Sequence, residues 1–202
     1  MKRFSAAGQP ESRKIRVRVL STKTNSLEDH EVKSPHIMIL GVGCLLFSDE
    51  GFGVRVIEKL EEMYTFPDNV SVVDGGVLGV NLLGVLSLAD QLIVVDVIRN
   101  KGNPGDVYRL SGDQIPERIR AKNSIHQVDF LEALTLCQAL DKVPETVIVG
   151  VEPFDIETLS IELTPVTAAK VDPMIDMVLA ELDRLHIPYH KRKEKYVSRN
   201  PI

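Results

Sequence analysis

The fold is decided by residues 37–63, which have the sequence IMILGVGCLLFSDEGFGVRVIEKLEEM. Four consecutive apolar residues, 37–40, end at Gly41, a pattern that is typical of a fully buried strand. Residues 48–51 indicate a loop. The helix predicted after this loop carries four apolar residues on one face: Val56, Ile57, Leu60 and Met63. A buried strand followed by an amphipathic helix is the repeating unit of parallel sheets.

Similar apolar runs continue the alternation of strands and helices along the chain. Further strands are predicted at residues 70–73, 92–95, 105–110 and 146–151. Helices are predicted at residues 82–88, at residues 124–134 and at residues 164–185, the last one kinked or restarted at Asp172-Pro173. We therefore expect an α/β fold, a three-layer α/β/α domain of the phosphorylase/hydrolase-like kind with a twisted, mostly parallel sheet.

Three regions differ in composition along the 202 residues. Residues 1–35 are polar and contain only one short strand-like run, residues 15–19, so we expect a flexible N-terminal extension. Residues 36–188 form the predicted domain, and residues 189–202 form a basic tail. Because the sequence has neither an apolar run of about 20 residues nor the apolar core of a secretory signal, we expect a cytoplasmic protein without membrane insertion.

The charge of the predicted domain restricts its partners. Residues 36–188 carry 24 acidic and 11 basic side chains, a balance of −13, whereas residues 1–35 carry 8 basic and 4 acidic ones. A body of this charge repels phosphate backbones and attracts cations or basic protein segments, which argues against nucleic acid as a partner. Its two cysteines, Cys44 and Cys137, lie far apart in sequence, so we expect reduced thiols rather than a disulfide framework.

Three polar side chains are predicted just after the carboxyl ends of strands or at a helix start, where open α/β sheets bind ligands. They are Glu50, Asp96 and His126. Two carboxylates and one imidazole suit a divalent ion such as nickel or zinc, and three protein ligands leave positions open for a substrate. Taken singly, each residue also has a structural interpretation: a charge at a helix N-terminus, a turn cap and a partly buried histidine, respectively.

The first loop offers two other interpretations. Residues 41–43 (GVG) resemble the start of a phosphate-binding turn, but no third glycine or P-loop lysine follows, and the pair Asp49-Glu50 places negative charge where an anion would bind. Tight-turn geometry is the favoured explanation of these glycines. Alternatively, Cys44 with His126 and Asp96 would make a thiol hydrolase, although a small buried residue explains the cysteine equally well.

Residues 39–55 (ILGVGCLLFSDEGFGVR) resemble the opening motif of the hydrogenase maturation protease family. The likeness covers roughly residues 37–188, and the ordered series of motifs is far more specific than any one of them. The remaining strings are DGG at 74–76, VVDVI at 94–98, SIHQ at 124–127, VGVEP at 149–153 and LTP at 163–165.

The resemblance implies an endopeptidase that removes a C-terminal peptide from the large-subunit precursor of a nickel-iron hydrogenase after nickel insertion. The nickel then belongs to the substrate, and zinc or cadmium could occupy the same site in vitro. The family's metal-contacting positions match Glu50, Asp96 and His126, of which Asp96 or Glu50 is the expected catalytic base. Residues 74–76 (Asp74, Gly75 and Gly76) match a segment beside the substrate. One departure is Cys44, where the family usually has asparagine.

Two alternatives to this activity stay open at the level of sequence. One is a binding module, without enzymatic activity, for a maturation intermediate or a nucleotide. The other is the hydrolase that depends on Cys44.

We expect His126→Ala to weaken binding of the nickel-loaded precursor, because it removes one of three ligands. Folding should survive, since Ser124 and Gln127 form a predicted capping box at the same helix start. Precursor binding and thermal unfolding should be measured on the same protein. Unchanged binding would refute the assignment of His126 as a ligand.

Overall fold

The computed structural model describes residues 34–76, 86, 88–112, 114–115 and 143–193. Backbone contacts divide the chain into two units, Met1–Ser34 and Pro35–Ile202, and the elements below belong to the second. The domain boundaries predicted near residues 35 and 188 stay predictions.

The strands in the described residues form two sheets. They are β1 (Ile37–Val42), β2 (Tyr64–Thr65), β3 (Val70–Gly76), β4 (Gln91–Val97), β5 (Val107–Ser111), β6 (Glu145–Val151) and β7 (His190–Lys191). The main sheet has the order β3-β1-β4-β6-β5. Its first four strands are parallel, and the edge strand β5 is antiparallel to β6. The parallel strands therefore place their carboxyl ends along one edge of the sheet.

Alternate side chains of the neighbouring strands β1 and β4 enter separate cores on opposite faces of the sheet. One core contains Ile37, Ile39, Ile93 and Val95, and the other contains Met38, Leu40, Leu92 and Val94. All eight side chains are at most 2% exposed, so both faces of the sheet are covered. Continuous apolar runs, rather than alternating ones, are what strands buried on both faces require.

Helices α1 (Phe52–Met63) and α3 (Val171–Arg184) cover the first face. A 3-10 helix (Ser48–Gly51) leads directly into α1, and the short α2 (Pro165–Ala168) precedes α3. Val56 and Leu60 of α1 and Met174 and Val178 of α3 lie in the same core. On the opposite face, the second core includes Leu86, Ala89 and Ile115.

The predicted three-layer α/β/α fold with a mostly parallel sheet is confirmed. Each predicted strand of the domain coincides with or overlaps an observed one, and the predicted helix through Met63 is α1. The predicted helix at residues 82–88 lies outside the described residues except for Leu86 and Leu88, and the one at residues 124–134 lies wholly outside them.

Two local details differ from the sequence-based expectation. Residues 48–51 form a 3-10 helix rather than a loop. Thr164 occupies the N-cap position of α2 without capping it, because its hydroxyl donates to Asp49 instead. The predicted restart of the last helix at Asp172-Pro173 is confirmed to within one residue: α3 begins at Val171, so that Pro173 lies in its first turn, where a missing N–H breaks no intrahelical hydrogen bond.

The beginning of the predicted basic tail pairs with the end of α1. Strands β2 and β7 are antiparallel, with His190 opposite Thr65. The Arg192 Nε–H donates to the backbone carbonyls of Glu61 (2.9 Å) and Tyr64 (3.0 Å). None of the helices in the described part of the chain is long and apolar enough to cross a membrane.

Helix α1 touches the backbone of the sheet at Gly53. A Cβ atom at this residue would lie 2.2 Å from the carbonyl oxygen of Val95 and 2.4 Å from that of Val42. Both distances are well inside van der Waals contact, so only glycine permits this approach. The start of α1 is thereby held against the carboxyl ends of β1 and β4.

We expect Gly53→Ala to lower the free energy of unfolding by about 2 kcal/mol, because a steric cost of about 3 kcal/mol exceeds the gain of about 1 kcal/mol in helix propensity. Glu62→Ala, at an exposed position in the same helix, is the control and should change stability by less than about 0.5 kcal/mol. Urea unfolding of both proteins provides the comparison. Equal stability of the two would refute the close packing at Gly53.

Candidate active site

The carboxyl ends of β3, β1 and β4 define the candidate site. In the register of the sheet, Gly41 lies opposite Val95 of β4, and Val42 lies opposite Gly76 of β3. Asp96, the residue after Val95, is therefore level with the end of β1. Because neighbouring strands are about 4.8 Å apart, Asp96 and Gly76 lie about two strand spacings, roughly 10 Å, from each other.

Glu50 is held by the 3-10 helix that follows β1. Its N–H donates to the carbonyl of Phe47 (3.0 Å), and the residue is only 7% exposed. Gly43 passes directly beneath it: a Cβ at Gly43 would lie 1.8 Å from the carbonyl oxygen of Glu50, and Gly43 has a φ of +133°. Glycine is thus required at this turn both for space and for backbone conformation.

Asp96 is half-buried at the end of β4. Its neighbours Val95 and Val97 belong to the core that packs against α1 and α3, so the side chain of Asp96 points toward the opposite face of the sheet. The backbone N–H of Val97 donates to Oδ1 of Asp96 (2.7 Å). This hydrogen bond restricts the rotation of the carboxyl group.

The elements that carry Glu50 and Asp96 are in contact, because the 3-10 helix packs against β4. The close approach of Gly53 to Val95 fixes that packing three residues after Glu50 and one residue before Asp96. His126 lies outside the described residues, so its convergence with these carboxylates stays a prediction. Within the described residues alone, no three His, Cys, Asp or Glu side chains form a potential metal-binding group.

Asp74, Gly75 and Gly76 end β3 in a bulge rather than in a free loop. The register places Gly41 opposite Asp74 and Val42 opposite Gly76, so Gly75 is the extra residue. Oδ1 of Asp74 accepts the N–H of Gly76 (2.8 Å), and Gly76 has a φ of +42°. The N–H of Gly43 donates to the carbonyl of Gly76 (3.0 Å), which joins this bulge to the first loop.

Internal packing also explains the other glycine of residues 41–43. A Cβ at Gly41 would lie 2.5 Å from the carbonyl oxygen of Gly53. Gly41 therefore accommodates α1, and Gly43 accommodates the 3-10 helix, without any phosphate group. Cys44, in the same loop, is a partly buried free thiol.

Asp49 is a site residue that the sequence did not single out. It is fully buried, and its carboxylate accepts four hydrogen bonds from residues more than 100 positions away. The donors are Thr164 N–H (2.7 Å), Thr164 Oγ1 (2.9 Å), Phe154 N–H (2.9 Å) and Asp155 N–H (3.0 Å). The N–H of Asp49 in turn donates to the carbonyl of Asp155 (3.0 Å). Asp49 thus fixes the 3-10 helix that carries Glu50 to residues 154–164.

Glu152, on the other side of Asp96, also fixes a neighbouring segment by accepting hydrogen bonds. It follows β6, is 7% exposed and accepts hydrogen bonds from Asn100 N–H (2.7 Å), Gly102 N–H (3.2 Å) and Tyr108 Oη (2.9 Å). These bonds hold the segment that leaves β4. Burial raises the pKa of the Tyr108 hydroxyl, and the adjacent Glu152 carboxylate raises it further, so Tyr108 remains a hydrogen-bond donor at neutral pH. Glu152 directly follows an apolar strand, which is the sequence pattern that also identified Asp96.

The sequence profile of the hydrogenase maturation protease family matches residues 54–181. The chain belongs to the hydrogenase maturation protease family. Its activity class is accordingly that of a peptidase.

Individual similar proteins match most of the chain. Hydrogenase expression/formation protein HupD of Bradyrhizobium diazoefficiens is 39% identical over 150 residues, 72% of this chain and 78% of the relative. The hydrogenase 2 maturation protease of Escherichia coli is 38% identical over 148 residues, 72% of this chain and 90% of the relative. The structure of the hydrogenase maturating endopeptidase HybD from E. coli superposes with a TM-score of 0.74 at 36% identity, covering 78% of this chain and 98% of that one.

We expect Asp49→Ala to lower the free energy of unfolding by about 3 kcal/mol, because three backbone N–H groups and one hydroxyl lose their acceptor. Glu157→Ala is a matched control, since it removes an exposed carboxylate from the segment that Asp49 holds. Thermal and urea unfolding measure both effects. If the two variants have the same free energy of unfolding, the buried carboxylate of Asp49 does not stabilise the site.

Proposed function

We propose that this chain is an endopeptidase that removes the C-terminal peptide of a nickel-iron hydrogenase large-subunit precursor once nickel has been inserted. Glu50, Asp96 and His126 recognise the nickel, which is carried by the substrate. The observation that carries the proposal is the placement of two acidic residues of a maturation protease, Glu50 and Asp96, on elements in contact at one sheet edge.

The donor set fits a divalent ion presented by a substrate. Glu50 and Asp96 supply carboxylate oxygens, and His126 supplies an imidazole nitrogen, a combination suited to nickel, zinc or cadmium. Glu50 is buried, and the Val97 N–H restricts Asp96, so both carboxylates are supported by rigid backbone. Such preorganisation is what recognition of an open coordination position requires. A precursor without nickel lacks the ion that these side chains bind, and therefore is not cut.

Hydrolysis requires a base and a polarised carbonyl. In the proposed reaction a carboxylate, Asp96 or Glu50, takes a proton from water, and the water oxygen bonds to the carbonyl carbon of the scissile peptide. The C–N bond then breaks, and the proton passes to the nitrogen of the leaving peptide. Binding of the substrate-held nickel orients this carbonyl and lowers the cost of negative charge on its oxygen.

The bulge at the end of β3 is the proposed contact for the extended tail of the substrate. Gly76 leaves this edge without a side chain and Asp74 is exposed beside it, whereas Gly75 is buried against Leu40 and Gly41. An extended peptide can approach such a backbone closely. The precursor is the proposed partner of the chain, and the cytoplasm is the proposed location of the reaction.

We expect Asp96→Asn to abolish processing of nickel-loaded precursor with a change in unfolding free energy below about 1 kcal/mol. The amide nearly preserves the shape of the side chain but cannot accept a proton as a base or offer a charged oxygen to nickel. Asp90→Asn is the matched control, because Asp90 lies just before the same strand and its Oδ2 accepts the N–H of His36 (2.7 Å) at the opposite edge. The measurement is the shift of the purified precursor to higher gel mobility.

Processing at the unsubstituted rate by the Asp96→Asn protein would contradict the role of Asp96. A nickel-free precursor should remain uncut by the unsubstituted chain, and its cleavage would contradict nickel recognition. Stable binding of nickel-loaded precursor without shortening would instead identify a binding module. Loss of turnover after alkylation of Cys44, together with processing that does not depend on nickel, would identify a thiol hydrolase.

A further inference from the structure

Exposed apolar side chains are concentrated on two segments beside Glu50. Of the nine large apolar side chains that are exposed in the described residues, five lie on residues 46–47 and 154–161. Their exposed fractions are 57% for Leu46, 39% for Phe47, 69% for Phe154, 75% for Leu159 and 60% for Ile161. Single exposed apolar residues are ordinary, but a concentration of them typically marks an interaction site. We refer to these five residues as the apolar rim.

Hydrogen bonds hold the two segments of the apolar rim together. Phe47 forms a parallel bridge with Ser160, the N–H of Ser160 donates to the carbonyl of Leu46 (3.0 Å), and the N–H of Ser48 donates to the carbonyl of Ser160 (2.7 Å). Ser48 reaches this geometry at a φ of +44°, an uncommon value for a residue with a side chain. The exposed side chains are thus presented by fixed backbone, which lowers the entropic cost of binding a partner.

The charged residues in the two segments that carry the apolar rim are all acidic. Residues 44–51 and 152–164 contain six carboxylates and no lysine, arginine or histidine. Among them Glu157 and Glu162 are exposed, and hydrogen bonds from the Thr158 side chain and from the backbone of Thr158 and Glu157 keep the pKa of Asp155 below its usual range. The neighbouring Arg55 is engaged with Glu58 (3.0 Å) and the carbonyl of Ile161 (3.1 Å).

The apolar rim is continuous with the candidate active site. Asp49 binds the N–H groups of Phe154 and Asp155 on one side, and Glu50 is the next residue in the chain. A protein docked on the rim would therefore lie beside the carboxylates that recognise its nickel. This neighbourhood favours the substrate protein over an unrelated partner as the occupant.

We propose that the apolar rim is the docking surface for the large-subunit precursor, and that it binds an apolar segment flanked by lysine or arginine side chains. The inference rests on the proposed function for the identity of the partner. Apolar contact supplies affinity, and the exposed carboxylates of Glu157 and Glu162 select basic flanks over acidic ones. Docking on the rim does not depend on nickel, whereas cleavage does.

The test measures the Kd of purified nickel-free precursor, which the chain does not cut, by biolayer interferometry. Leu159→Ser should raise the Kd about tenfold, the effect of losing one buried leucine side chain from an interface. Leu159→Lys should raise it more than Leu159→Glu, because lysine repels the basic flanks. The control is Leu88→Ser, which should leave the Kd unchanged. Leu88 is also largely exposed (63%, against 75% for Leu159) and lies shortly before β4, at the opposite edge of the sheet.

The same proteins separate failure of docking from failure of the proposed function. With nickel-loaded precursor, Leu159→Ser should raise KM about tenfold and leave kcat unchanged. The proposal is overturned if Leu159→Ser leaves the Kd unchanged or if Leu88→Ser raises it equally. It is also overturned if Leu159→Ser alters the sedimentation coefficient of the protein without any partner, because a second copy of the chain then covers the rim. If the unsubstituted chain never shortens nickel-loaded precursor, the proposed function fails, while the Kd values still decide whether the rim docks that protein.

Discussion

The contact between Gly53 of α1 and the backbone carbonyls of Val42 and Val95 is the constraint on which the rest of the site depends. It brings a helix start into direct contact with two strand ends, at distances that any side chain would prevent. Glu50 lies three residues before this contact and Asp96 one residue after it. A rigid backbone contact therefore places the two acidic residues at the same sheet edge.

Buried carboxylates extend this constraint to the neighbouring segments. Asp49 holds residues 154–164 against the 3-10 helix, and Glu152 holds the segment that leaves β4. Each accepts backbone N–H groups that would otherwise be partly buried without an acceptor, which offsets the cost of burying the charge. The result is an acidic, rigid edge whose carboxylates have distinct tasks: some shape the backbone, and Glu50 and Asp96 remain at the candidate site.

Sequence alone predicts the fold well because apolar runs have a direct physical meaning. Runs such as residues 92–95, which are short, rich in β-branched residues and bounded by polar ones, favour buried strands over helices, and their order with the helices implies a parallel sheet. It also predicts Glu50 and Asp96 as site residues, because both follow strands, and the ordered motifs indicate the family that the comparisons confirm. The role of each of these residues in recognising nickel stays a prediction.

The features that sequence does not predict depend on distant partners. The 3-10 helix, the bulge at Gly75 and the cap position of Thr164 follow from hydrogen bonds to residues far along the chain. Asp49 resembles any acidic residue in a loop until Phe154, Asp155 and Thr164 are placed around it. Glu152 follows a strand as Asp96 does, so the same reasoning would have selected it as well.

In the proposed function, this chain shortens a hydrogenase large subunit in the cell. The most direct measurement is the gel mobility of that subunit in cells with and without this chain. We expect the longer precursor to accumulate when the chain is absent, and the mature length to return when the chain is supplied from a plasmid. A large subunit of mature length in the cells that lack the chain would contradict the account.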